Sequence, residues 1–427
     1  KKNIKNKKKK IKKLDDVMSP PYDIISENLQ DELYKKNPKN FVRLNLNKIK
    51  EGDDEKDNRY IRTKNLFNKW LDDSTLIKSD KDAIYPYKIK YKDNGKDKIM
   101  NGFFVLLKLD KQYKKVKAHE RTLSGPKKDR LNLMRACKSN LEPIQLLYID
   151  EKDEILKEID ESLDDPVIDV TGYDGFNHRL WEINEKKVID LICEKLKDEI
   201  LFIADGHHRY QTAINYSEEM KEKTGNLDED APFNFRMVIL VNMFDKGLSV
   251  LPTHRLIKMP NFNIKDLIAK IDKYFKIEKF ELDMPPDSLS KKIVDEIKTE
   301  KNHRFAMYIG EKYYIFTLKD EESMKEFAND KSKNWRTLDV SILHKIVLEY
   351  GMSITENNLE DHVKYTRDDK EAIEFVDNKK FDLSFIMNPT KIHELKSIAD
   401  AGEHMPQKST YFLPKMLSGL VMYKMNI

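Results

Sequence analysis

A chain of 427 residues with 39% hydrophobic and 36% charged side chains is long enough for two or three domains and has the composition of a globular protein with a heavily charged surface. Lys+Arg 79 against Asp+Glu 75 leaves a formal charge of +4, without the positive excess of a nucleic-acid binder, so nucleic acid is not expected as a partner. The two cysteines, Cys137 and Cys193, form no CxxC pair, which excludes a disulfide framework and a cysteine-based zinc site and suits a reducing cytoplasm.

No apolar run approaches the roughly 20 residues that span a bilayer, so no membrane association is expected. The start, KKNIKNKKKKIKK, is followed by no apolar segment and reads as a flexible basic tail over 1–13, not a secretory signal. Ser19-Pro20-Pro21-Tyr22-Asp23 comes next, where two prolines hold a tyrosine and an aspartate in a rigid loop. Ser26 reads as the N-cap of a helix ENLQDELYKK that ends at Asn37-Pro38. The alternation in FVRLNLN predicts a strand, and the stripe Ile61, Leu66, Trp70, Leu71 predicts a helix from Arg59. AIYPYKIKY and MNGFFVLLKL read as strands about a hairpin turn at Asp93-Asn94-Gly95. LEPIQLLYID reads as a buried strand, and FRMVILVNM as a continuous apolar strand of the kind covered on both faces.

Beyond Pro260 the pattern predicts helices at IKDLIAKIDKYF, LSKKIVDEIK, LDVSILHKIVLEY and IHELKSIADAG, a hairpin RFAMYIG/YYIFTLK and a buried strand FDLSFIMN. Strands alternating with helices give a mixed α/β (α+β) architecture, divided as a basic tail 1–13, an α/β domain 14–259 and an α+β domain 260–427 whose last segment returns to the site.

Chemistry concentrates in LFIADGHHRYQTAINY, read as a strand to Ala204, a turn at Asp205-Gly206 and a helix from His207. A helix start presents unsatisfied N–H groups and partial positive charge, and a glycine lets a ligand approach the backbone. Arg209 offers a fork of donors suited to phosphate, and His207 and His208 can donate hydrogen bonds or move protons. Asp205 would repel an anion unless Mg²⁺ bridges the two; alternatively it is the base for a hydroxyl substrate. The plainer alternative is that Asp205 only caps the helix. Adjacent helical histidines point about 100° apart, which disfavours a histidine zinc site.

A second cluster, HERTLSGPKKDRLNLMRA, places a turn at Gly125-Pro126 and crowds Lys127, Lys128, Arg130 and Arg135 at a helix start, where positive charge opposes the dipole unless an anion is bound. A solvated basic surface is the alternative. LPTHRLI adds His254 and Arg255, and GEHMPQKSTYFLPK adds Glu403, His404, Lys408, Ser409 and Thr410 as a polar loop.

These blocks, with SPPYDIIS, NPKNFVRLNL, DGFNHRLWEI, IMNPTKIHEL and MPQKSTYFLPKMLSGLV, resemble the prokaryotic family of domain of unknown function 1015 along nearly the whole chain. The Gly206-His207-His208-Arg209 turn also resembles the phosphate-binding turn of the ParB/sulfiredoxin superfamily, which includes kinases for free serine. That resemblance implies a ParB/sulfiredoxin-like nucleotide-binding core with added α/β layers and a cytoplasmic nucleotide-dependent phosphotransferase using ATP or ADP and Mg²⁺ on a small hydroxyl substrate, with free serine as one candidate. Asp205, His207 and His208 would then be catalytic, with Asp205 on the metal, and Gly206, Arg209, Lys127, Arg130, Lys408, Ser409 and Thr410 would hold the nucleotide. A ParB-like regulator and a metal-dependent phosphate-ester hydrolase use the same residues and stand as alternatives.

Overall fold

The computed structural model describes residues 3–6, 13–93, 95–119, 124–282, 284–299 and 302–426. Two compact units emerge from the contacts: Lys1–Lys117 with Thr122–Ser249 and Phe412–Ile427, and Ala118–Arg121 with Val250–Tyr411. The sequence boundary near Pro260 therefore lies inside the second unit.

The first unit is built on an eight-stranded mixed sheet. At its centre Ile144–Tyr148 runs parallel to Phe235–Asn242 and antiparallel to Leu201–Asp205. All five side chains of Ile144–Tyr148 are buried, as are seven of the eight in Phe235–Asn242, which is why both are mostly apolar. Tyr85–Asp93 and Lys96–Lys108 form the expected hairpin, with Asp93 opposite Lys96; Asn94 of its turn lies outside the described residues. A smaller sheet joins Leu76–Lys78, Asn3–Asn6, Val421–Lys424 and Ser139–Asn140, so part of the basic start, expected as a flexible tail, is a strand.

Two local expectations change. FVRLNLN contains a short helix, Val42–Asn45, instead of a strand. The Asn40 side chain accepts from the Val42 amide at 3.0 Å, and Asn45, which alternation would expose, is 1% exposed and serves as a buried donor. In the second cluster the helix is Ser124–Cys137, so Gly125 and Pro126 belong to its first turn and do not form a separate one. Glu120–Leu123 lie outside the described residues.

The second unit carries a six-stranded antiparallel sheet in the order Phe275–Glu281, Lys312–Leu318, Arg304–Tyr308, Leu383–Ile386, His254–Ile257, Val363–Thr366. Helices Pro286–Ile297 and Asp369–Asp377 cover one face through Leu289, Ile293, Ile297, Ala372 and Ile373. LDVSILHKIVLEY is helical as expected but widens from Leu343 to Gly351 into a π-helix. Among the described residues no helix is long and apolar enough to cross a membrane.

Candidate functional site

The strand Leu201–Asp205 buries its first four side chains and ends at a partly exposed Asp205. Gly206 follows in the left-handed region (φ +99°) and the helix His207–Thr224 begins immediately. Gly206 is required twice over. A side chain disfavours that φ, and a Cβ there would sit 3.0–3.3 Å from the Arg209 guanidinium, which folds back over the turn.

Arg209 corrects the sequence expectation. Its side chain is 6% exposed; one terminal nitrogen donates to the Pro143 carbonyl and the other to Asp205 Oδ2. A buried guanidinium needs acceptors, and it takes internal ones, so Arg209 holds the turn in shape instead of presenting an open fork to a phosphate. The second Asp205 oxygen, Oδ1, accepts from Lys415 Nζ, a side chain 8% exposed and 210 residues along the chain. Burial alone would raise the Asp205 pKa; Lys415 and then Arg209 outweigh it and hold the carboxyl well below the ordinary range. Asp205 is therefore a fixed anion and a weak base. Burial likewise works against the charge on Arg209, and Asp205 more than offsets it, holding the guanidinium above its usual value.

Around this pair the dispersed polar blocks converge. Glu142, 4% exposed, accepts through Oε1 from the Tyr22 amide (2.9 Å), Asn45 Nδ2 (3.1 Å) and Ser418 Oγ (3.1 Å). Asn45 also donates to the Pro20 carbonyl at 3.0 Å, which fixes the Ser19–Asp23 loop. Arg130 stacks 3.9 Å over the Tyr22 ring, donates to the Asn45 carbonyl at 2.8 Å and approaches Glu142 Oε2 at 3.7 Å. Burial lifts the Tyr22 hydroxyl to about 12. Arg236, 3% exposed, donates to the Glu142 carbonyl at 2.7 Å, and burial with the nearby Arg209 charge lowers its pKa to about 9.

Two side-chain nitrogens here, Gln145 Nε2 and Arg236 Nε, have no hydrogen-bond partner among the described residues. Two small cavities lined by described residues flank Arg209, of about 30 and 10 Å³. That is space for one or two waters, not a nucleotide. Gly206 and His208 are partly exposed, so the turn's outer face is the accessible one, while His207 is 6% exposed.

Of the other expected residues, Arg130 joins this cluster, whereas Lys127 stays partly exposed. Arg135 pairs with Glu219 at 2.6 Å on the helix that carries the turn, so its charge serves helix packing instead of an anion. Lys408, Ser409 and Thr410 belong to the second unit: the Lys408 carbonyl accepts from Arg255 at 3.4 Å, Ser409 Oγ donates to the Pro406 carbonyl, and Thr410 Oγ1 lies 3.1 Å from His119 Nε2. Metal at Asp205 does not fit, because both its oxygens face cations; among the described residues no three His, Cys, Asp or Glu side chains gather to hold an ion. Lys415, Glu142, Asn45, Gln145 and Arg236 were missed. Their one sequence signal is a polar residue beside proline or inside an apolar block, as in Leu141-Glu142-Pro143 and Pro414-Lys415-Met416.

Among solved structures the chain is similar to a mutant free serine kinase in complex with ADP (14% identity, TM-score 0.37, 74% of this chain and 91% of that one). It is similar also to a free serine kinase in complex with AMP (15%, 0.35, 74% and 91%) and to a conserved hypothetical protein from Pyrococcus furiosus (14%, 0.36, 75% and 95%). The sequence matches none of the curated proteins. The model of a family described as protein of unknown function, DUF1015, matches residues 1–341, and the chain belongs to that family.

Proposed function

We propose that the chain is a nucleotide-dependent phosphotransferase that moves a phosphoryl group from ATP or ADP to a small hydroxyl compound, free serine being one candidate. The observation that carries this reading is the Asp205–Lys415 pair at a glycine turn opening an 18-residue helix. A lysine is a compact charge with three donors and a common phosphate ligand, and here a fixed anion aims it beside a helix start. Lys415 supplies the positive charge that the sequence reading assigned to a metal at Asp205. The ParB/sulfiredoxin-like character of the turn rests on Gly206 to Arg209 alone, with Arg209 as a positioning residue.

In the transfer the acceptor oxygen forms a bond to the terminal phosphorus, the bridging P–O bond breaks, and the nucleotide leaves one phosphate shorter. Asp205, too acidic to be the base, orients Lys415; the acceptor's proton goes to His207 or His208, whose side-chain type suits transfer near neutral pH. Positioning and charge neutralisation are most of what phosphoryl transfer asks of a protein.

The test is phosphorus NMR of the chain incubated with ATP or ADP and a panel of hydroxy compounds. A phosphomonoester and a shortened nucleotide are expected, with the rate falling on the order of 10²–10³ in Lys415→Ala, as for removal of one charge-stabilising donor. Absence of both nucleotide binding and phosphomonoester removes the proposal. Inorganic phosphate as the product with every acceptor makes the protein a hydrolase instead.

A further inference from the structure

The second unit holds a cavity of about 320 Å³, within the range of small-molecule sites. Arg255 lines it from the strand His254–Ile257 and is 2% exposed. Its terminal nitrogens reach only main-chain carbonyls, Thr253 and, at 3.4 Å, Lys408. Nε has no partner, and no carboxylate pairs with Arg255 among the described residues. The neighbouring His254 shows the contrast: Nε2 lies 2.7 Å from Asp369 and Nδ1 accepts from the Met387 amide at 3.1 Å, so it is satisfied.

A buried cation with no counter-ion costs several kcal/mol, and burial pulls the Arg255 pKa down to about 10, still charged at neutral pH. The same cavity is lined by Asp339 and Glu394. Burial, then repulsion from Asp339, raises the Glu394 pKa, while the Lys391 amide and the charges of Lys391 and His393 lower it. Asp339 is held in place by His303 Nδ1 at 2.8 Å. One wall thus carries a cation with no carboxylate partner, and another carries two carboxylates.

We propose that this cavity binds a small zwitterionic metabolite, its carboxylate on Arg255 and its ammonium at Asp339 and Glu394. The site belongs wholly to the second unit and is independent of the phosphotransferase reading. The test is calorimetric titration of the full chain with single amino acids from glycine to glutamine, against acetate and methylammonium as half-ligands. At least one amino acid is expected to bind tenfold or more tightly than either half. Arg255→Met should abolish that binding without lowering the ligand-free unfolding midpoint, because it removes an uncompensated charge. Asp339→Asn should erase the preference over acetate. If Arg255→Met does not fold, Arg255→Lys decides: it keeps the charge but loses the fork, and affinity should drop at least tenfold. Binding no tighter than the halves, or unchanged affinity in the Arg255 variants, overturns the proposal. So does amino-acid binding that survives Arg255→Met and is lost in Lys415→Ala, which would belong to the turn. Nucleotide binding should be the same in every Arg255 variant, so the two readings fail separately.

Discussion

Arg209 and Arg255 are the same side chain at nearly the same depth, yet their surroundings push them in opposite directions. Arg209 is locked between a carboxylate and a carbonyl and is held above its ordinary pKa; Arg255 reaches carbonyls alone and is pulled down to about 10. Burial is the largest influence on both, so the difference lies in the partner. A buried cation with its own anion is part of the scaffold, while one without an anion beside open space is waiting for a ligand. The second unit's candidate residue for direct binding is therefore Arg255; Lys415, which shares the Asp205 carboxylate with Arg209, is the first unit's candidate by its place beside the glycine turn and not by want of a counter-ion.

The largest test of this contrast is Asp205→Ala. It leaves Lys415 and Arg209 buried without their carboxylate, and a loss of about 3–5 kcal/mol in the urea unfolding free energy is expected, whereas Arg255→Met should cost little or nothing. Equal losses would erase the distinction. Gly206→Ala comes next: φ +99° and the guanidinium 3.0–3.3 Å from the new Cβ predict about 1–3 kcal/mol, with nucleotide binding impaired more than stability. Wild-type stability in that variant would show that Arg209 does not clamp the turn.

The third effect, smallest within any one pH unit, is in acid. In the second unit His119 is buried neutral, and burial, with His404 adding, lowers its pKa to about 3 from an ordinary 6.5. Between those values the unfolded chain binds the extra proton, so stability rises with pH across this window and falls on acidification, by about 1.4 kcal/mol per pH unit at most. Asp205 has a depressed pKa, so its contribution is present above the unfolded carboxyl value and is lost only well below it. The second unit should therefore weaken first. Unfolding midpoints from pH 7 to 4 should fall less steeply in His119→Gln than in wild type; parallel curves would remove this assignment.

What the sequence disclosed follows from what is local. The strand–turn–helix at Asp205-Gly206 was legible because apolar run, glycine and helix period are all readable within one stretch, and the central strands were legible because burial on both faces makes them mostly apolar, with Gln145, Arg236 and Asn242 as buried exceptions. Val42–Asn45 misled because an alternating pattern is also compatible with a short helix whose asparagines are consumed by distant partners. The inward turn of Arg209 was invisible for the same reason: its acceptor Pro143 and its rival Lys415 come from remote segments, and no periodicity reports that a charge will be satisfied from elsewhere. Arg255 was singled out beside His254, but only the finished sheet shows that one is served and the other is not.

The tie between Asp205 and Lys415 also sets an order of events during synthesis. For two hundred residues after Asp205 leaves the ribosome, Arg209 but not Lys415 is there to pair with it, and the segment from Phe412 that folds with the first unit has yet to be made. Lys415 is thus delivered late, by a contact that closes a very long loop. A nascent chain halted anywhere before Lys415 would carry the turn without the second cation on its carboxylate, so the turn's pairing is completed only when the last segment is in place.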